Sequence, residues 1–126
     1  MINKLKQKTS PGTKALIEAI IQGMQNKKAD DITVLDLQNV GNAIAAYFIL
    51  CTGQAKTQVA AITEGILEMS DQKAGQRPWQ QEGLTNREWI LLDYTDVVVH
   101  VFHSEQREFY ALESLWGDAA ITQIKA

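Results

Sequence analysis

The stretch that decides the fold is WILLDYTDVVVHVFH, Trp89 to His103. Two runs of aliphatic and β-branched residues flank a short polar break, which predicts two strands joined by a tight turn. With Tyr94-Thr95 at the tip, Leu92 pairs with Val97, Leu91 with Val98, Ile90 with Val99 and Trp89 with His100. Side chains alternate faces along a strand. One face then carries Ile90, Leu92, Val97, Val99 and Val101, all aliphatic, and should pack on helices. The other carries Trp89, Leu91, Asp93, Asp96, Val98, His100 and Phe102. An apolar centre with aromatic anchors and charged edges has the composition of a contact surface. Joint exposure of Trp89, Leu91, Val98 and Phe102 would also favour a homodimer of the free chain.

The carboxylates and imidazoles of this hairpin invite a second reading, as a metal site or a catalytic pair. Asp96 and His100 share a face but lie about 13 Å apart at strand rise, too far for one ion or one proton relay. His103 points to the face opposite His100. No metal, cofactor or catalytic residue is therefore expected. His100 as a partly buried residue bonded to a neighbour remains the plain structural alternative to a contact role.

Upstream of the hairpin, Ser10-Pro11 suits a helix start, Ser as N-cap and Pro at the first helical position. Leu16, Ile17, Ile20, Ile21 and Met24 follow at helical spacing, and the helix should fade near Lys27-Lys28. DITVLDL, Asp31 to Leu37, reads as a strand with Ile32, Val34 and Leu35 buried. QNVGNA is a loop. A strand from Tyr47 to Thr52, ended by Gly53, is apolar on both faces, as an interior strand would be. A second helix spans Lys56 to Met69, with Val59, Ile62, Ile66 and Met69 on one stripe. DQKAGQRPW turns into a short strand near Trp79, and LTNRE is another turn.

Downstream, Ser104 can cap a last helix, with Glu105 in its first turn and Phe109, Leu112 and Trp116 on one face. Gly117 ends it and DAAITQIKA reads as a tail. The order αββαβββα predicts one α/β domain over residues 1–126, with a mixed sheet packed by helices and a flexible N-terminal arm at about residues 1–9.

The chain has 126 residues, 45% of them apolar, enough for one core. Its apolar runs are too short to span a membrane. Cys51 is the only cysteine, which excludes an internal disulfide and fits a reducing cytoplasm. In its apolar strand it reads as a small core residue, not a nucleophile. The net charge of −3 hides an asymmetry: Glu82 to Asp118 holds eight acids against Arg87 and Arg107, so that segment is −6 and the rest +3. An acidic C-terminal third disfavours contact with nucleic-acid phosphates, direct DNA binding included, and suits a basic protein partner.

YFILCTG, QVAAI, EGL, WILLDYTDVVVHVF and REFYALESLWGDA together closely resemble the ribosomal silencing factor family, also called Iojap-like. The likeness runs from about Leu16 to Ala119. It implies a nucleotidyltransferase-like α/β fold without the catalytic carboxylates of active transferases. It further implies binding to the large ribosomal subunit through ribosomal protein L fourteen, a block on joining of the small subunit, and repression of translation when nutrients are scarce. Trp89, Asp93, Asp96, Val98 and His100, with Glu82 and Gly83 just before the hairpin, match the family's contact surface. Leu91 and Phe102 lie on the same predicted face. Arg107, Tyr110, Glu113 and Trp116 match its C-terminal pattern, as contact or as packing. The sequence departs from the family at Ala46, where Asp is usual before Tyr-Phe. It departs again at Ala55, where Ser usually opens the second helix.

Two functional classes follow. One is a non-enzymatic module that binds the large subunit. The other is a nucleotide-binding or nucleotidyl-transferring enzyme on the same fold. The second needs spaced acids on a strand to hold Mg²⁺. After CTGQA comes a helix rich in Gln, Val and Ala, which favours the binding module. Within the resembled family, the absence of a transit peptide implies a bacterial, cytoplasmic member.

Overall fold

The computed structural model describes residues 11–41, 43, 45–105 and 120–124. The described elements, in chain order, are α1 (Pro11–Asn26), β1 (Asp30–Asp36), β2 (Tyr47–Gly53), α2 (Lys56–Ala74), β3 (Gln80–Glu82), β4 (Trp89–Asp93), β5 (Val97–His103) and β6 (Ala120–Ile124). The strands form one six-stranded sheet in the order β3-β4-β5-β2-β1-β6. β2 and β5 run parallel, and every other neighbouring pair is antiparallel. The mixed sheet of the sequence reading is therefore present. β2 is buried along its whole length between β1 and β5, as its continuous apolar run requires.

The stripes at helical spacing explain where the helices sit. Leu16, Ile20 and Met24 of α1 and Val59, Ile62 and Ile66 of α2 join Ile49, Cys51, Ile90, Leu92, Val97, Val99 and Val101 in one buried cluster. Both helices thus cover the same sheet face. Full burial of one such aliphatic side chain is worth roughly 1.5–3 kcal/mol. The helices meet where neither has a side chain: a Cβ on Gly23 would lie 2.7 Å from the Gly65 carbonyl oxygen. Glycine in a helix interior costs up to about 1 kcal/mol in propensity. Here that cost brings the two backbones together over the sheet.

Three expectations need correction. α2 continues to Ala74, past Met69, because nothing between them breaks a helix. It ends at Gly75, in the left-handed region at φ 65°, which donates its N–H to Asp71. The supposed tail contains β6, which pairs with β1 through Ile32–Ile124 and Leu35–Ile121. Five residues carry no signal of a partner so far away in the chain.

The third correction concerns the hairpin register. The observed pairs are Asp93–Val98, Leu92–Val99, Leu91–His100, Ile90–Val101 and Trp89–Phe102. The turn is Thr95-Asp96, closed by Tyr94 N–H donating to Val97 at 2.9 Å. Tyr94 explains the slip. Its ring is buried in the helix-side cluster and its hydroxyl lies 2.9 Å from the Ser70 Oγ, so it cannot stand at a solvent tip. Thr95 absorbs the bend at φ 82°, and Asp96 N–H donates back to Tyr94 at 3.1 Å. A β-branched residue there is strained. Each residue of β4 meets a partner two positions farther on than expected, an even slip, so the strand residues keep their expected faces. Asp96 does not: it lies in the turn, and its carboxylate meets Thr13 of α1 on the helix side.

The predicted arm at residues 1–9, Ser10 and the last helix beyond Ser104-Glu105 lie outside the described residues.

Candidate functional site

The face away from α1 and α2 is built from Leu35, Leu37, Phe48, Leu50, Val98 and Phe102, with Trp89 and Leu91 packed against them. The expectation of a broad exposed apolar patch is overturned here. Phe102 is 0%, Val98 3% and His100 4% exposed. Alternation put the right residues on this face but could not say whether the face was covered. Trp89 and Leu91 are only half-buried. The difference comes from strand position: β5 lies inside the sheet, whereas β4 is flanked by the three-residue β3, which pairs with Leu91, Leu92 and Asp93 and stops short of Trp89.

Beyond the end of β3 the chain turns at Gly83, which has φ 84°; a Cβ there would lie 2.1 Å from the Trp89 carbonyl oxygen. Only glycine allows this approach. It leaves a shallow groove of about 250 Å³ lined by Glu82, Gly83, Trp89 and Leu91. Four of the residues expected to form the contact surface are thereby brought together. The sequence reading treated Gly83 as a contact residue, and its backbone geometry accounts for glycine there without one.

The indole of Trp89 is held from below. It stacks on Phe102 with centroids 5.2 Å apart and planes 30° apart. Its Nε1–H donates to His100 Nδ1 at 3.0 Å. The two residues are diagonal neighbours across the hairpin, since Trp89 pairs with Phe102 and His100 with Leu91. The expected direct Trp89–His100 pairing is thus replaced by a diagonal hydrogen bond. Phe48 meets the imidazole edge-on at 4.7 Å, and Phe102 lies nearly parallel to it at 6.1 Å.

Neither hairpin carboxylate lines this groove. Asp93 Oδ1 accepts the Thr95 N–H at 2.8 Å. The Asp96 carbonyl oxygen accepts N–H groups of Ala46 and Tyr47, at 2.9 and 3.1 Å, and its Oδ2 accepts the Thr13 hydroxyl at 3.4 Å. Ala46 thus contributes its backbone to the hairpin anchor. Glu82 is exposed and accepts from Gln80 Nε2 at 2.7 Å. His103 is half-buried on the other face, and Cys51 is fully buried. Among the described residues no three of His, Cys, Asp and Glu gather where a metal ion could bind, and no helix is long and apolar enough to cross a membrane. Arg107, Tyr110, Glu113 and Trp116 lie outside the described residues.

The sequence reading passed over one surface feature. Trp79 and Leu84 are 66% and 46% exposed. Leu84 lines one shallow hollow beside α2, with Glu64, Leu67, Gln81, Arg87 and Ile90; a second is lined by Leu67, Glu68, Asp71, Arg77, Pro78 and Gln81. The available signal was a tryptophan within a polar run, RPWQQEG, with no periodic apolar neighbour to bury it.

The class this arrangement defines is an α/β domain with a mixed sheet, two helices on one face, and an aromatic groove half-open beside a short edge strand. A family model described as ribosomal silencing factor during starvation matches residues 10–126. A ribosomal silencing factor of Bacillus subtilis is 37% identical over 111 residues, covering 88% of this chain and 92% of that protein. A crystal structure of a Chromobacterium violaceum protein superposes with a TM-score of 0.77 at 31% identity, covering 82% of this chain and 85% of that one. Another, from Bacillus halodurans, gives 0.72 at 29% identity over 90% and 99%. The chain belongs to the ribosomal silencing factor family.

Proposed function

We propose that this chain is a bacterial, cytoplasmic repressor of translation that works by binding and not by catalysis. It docks through the groove of Glu82, Gly83, Trp89 and Leu91 on ribosomal protein L fourteen of the large subunit, and so keeps the small subunit from joining. Nutrient limitation is the condition under which it acts. The observation that carries this is the half-open Trp89, an aromatic anchor set in a groove beside Glu82 in an acidic segment. A few anchors, tryptophan prominent among them, carry most of the energy of protein interfaces, and negative charge speeds encounter with a basic ribosomal protein. Buried Val98, His100 and Phe102 support the surface from beneath it. With those residues buried, self-association loses the wide apolar face that first suggested it.

Purified chain should co-sediment with large subunits and lower the yield of joined ribosomes, and isolated L fourteen should compete. Binding to large subunits without any effect on joining would remove the anti-association step. Mg²⁺-dependent nucleotide transfer by the purified chain would instead favour the enzyme reading.

A further inference from the structure

We propose that His100 is a positioning residue for the contact groove: its Nδ1 holds the Trp89 indole in the orientation that shapes the groove wall. The proposal rests on the reading of that groove as the partner-facing site, and assigns His100 a role other than contact.

Burial gives the first argument. At 4% exposure, the His100 ring has almost no surface to offer a docking protein. Its neighbours on this face are Leu35, Leu37, Phe48, Leu50, Val98 and Phe102. A polar ring among them is costly unless its hydrogen bonding is met.

Hydrogen-bond direction gives the second. An indole N–H can only donate. His100 Nδ1, 3.0 Å from Trp89 Nε1, must therefore present a lone pair. The ring is the neutral tautomer with its proton on Nε2. A side chain of equal volume without an acceptor would fill the space but leave the indole N–H unpaired.

Rigidity gives the third. Phe48 edge-on and Phe102 parallel hold the imidazole plane from two sides. The acceptor is fixed before Trp89 meets it. Stacking on Phe102 sets the tilt of the indole but allows it to slide. The hydrogen bond removes that freedom, and a groove wall fixed in advance loses less entropy on binding.

The test uses ¹⁵N-labelled chain, purified large subunits and the variants His100→Asn, His100→Leu, Trp89→Phe and Trp89→Ala. Asn places an oxygen where Nδ1 sits. In the unmodified chain the Trp89 indole N–H should exchange slowly with water and His100 should show the Nε2–H tautomer. His100→Asn should keep slow exchange, and His100→Leu should lose it. His100→Leu should weaken large-subunit binding about tenfold, the scale of one unpaired buried donor. The double variant with Trp89→Phe should bind no worse than Trp89→Phe alone. If His100→Leu fails to fold, Trp89→Phe carries the test, because it removes the donor and leaves His100 in place. Fast indole exchange in the unmodified chain would overturn the proposal. So would full-strength binding by His100→Leu or Trp89→Phe while Trp89→Ala binds weakly. Full-strength binding by Trp89→Ala would instead sink the groove reading, and indole exchange would still decide whether His100 holds the ring.

Discussion

The two faces of the sheet solve different problems with neighbouring residues of the same strands. Towards α1 and α2, β4 and β5 present Ile90, Leu92, Val97, Val99 and Val101, all nearly fully buried. None of these five side chains carries a polar atom. Stability comes from volume and close approach, and the Gly23–Gly65 contact shows how closely the helices are seated. Towards the other side the same strands present Trp89, Leu91, Val98, His100 and Phe102. Aromatic rings and one hydrogen bond dominate, and the outermost residues remain half-open. An aliphatic face specifies that a layer packs upon it. An aromatic face with a polar atom specifies how one particular ring is turned.

The sharpest way to break this contrast is to truncate each face in turn. Ile62→Ala on the helix side should cost about 3 kcal/mol of stability, the usual scale for a fully buried aliphatic side chain. The variant that remains folded should bind large subunits normally. Denaturant titration with pelleting checks both, and a selective loss of binding would mean the two faces are not separable.

Trp89→Ala should do the reverse. Loss of an interface anchor typically costs more than about 2 kcal/mol, roughly thirtyfold in affinity. Its half-buried position predicts a smaller loss in the thermal melt. If Trp89→Ala unfolds the chain, or melts normally and binds at full strength, the division of labour between the faces is wrong.

Tyr94 sits at the turn and sends its ring to the helix side. Burial pushes its phenol above the ordinary 10.0, against the smaller, lowering influence of the Ser70 hydrogen bond. The folded state therefore holds the phenol proton more tightly than the unfolded chain does. That stabilisation is complete below a pH of about 10 and is lost as the pH rises through the folded value. Tyr94→Phe should cost about 1 kcal/mol at neutral pH, for the lost hydrogen bond. Above pH 10 its melting temperature should fall less steeply than that of the unmodified chain. Identical alkaline slopes would show that Tyr94 ionisation is not coupled to folding.

The smallest effect is expected at the start of α2. Ala55 occupies the N-cap with extended backbone and no side-chain cap. Gln58 reaches back to the Gln54 N–H at 2.7 Å, one position before the cap, and so supplies no acceptor to the first-turn N–H groups. Ala55→Ser should add up to about 1 kcal/mol, read as a rise in melting temperature with binding unchanged. No rise would mean that water already satisfies the first-turn N–H groups as well as the serine would.

Periodicity made the helices and long strands legible. Val59, Ile62, Ile66 and Met69 recur at helical spacing, and all four are buried. Strands β2, β4 and β5 begin where their apolar runs begin. β6 was not legible, because its pairing with β1 depends on residues far apart in the chain. The register of the hairpin was missed for a nearer reason: a local rule placed Tyr94 at the tip, and its bond to Ser70 of α2 draws it into the core.

The site divides the same way. The sequence by itself determined which strand residues share a face, because side-chain alternation is a property of the strand and survives an even slip in register; Asp96, in the turn, escapes that rule and meets Thr13 of α1. It also determined the acidic balance of the C-terminal third and the motifs that carry the family likeness. Only the tertiary structure decided which of those residues meet solvent. Val98, His100 and Phe102 are buried and Trp89 and Leu91 half-open, because exposure depends on what lies beside and above a strand. β5 lies between two long strands, β4 has only the short β3 on its outer side, and Gly83 turns the chain away just where Trp89 begins.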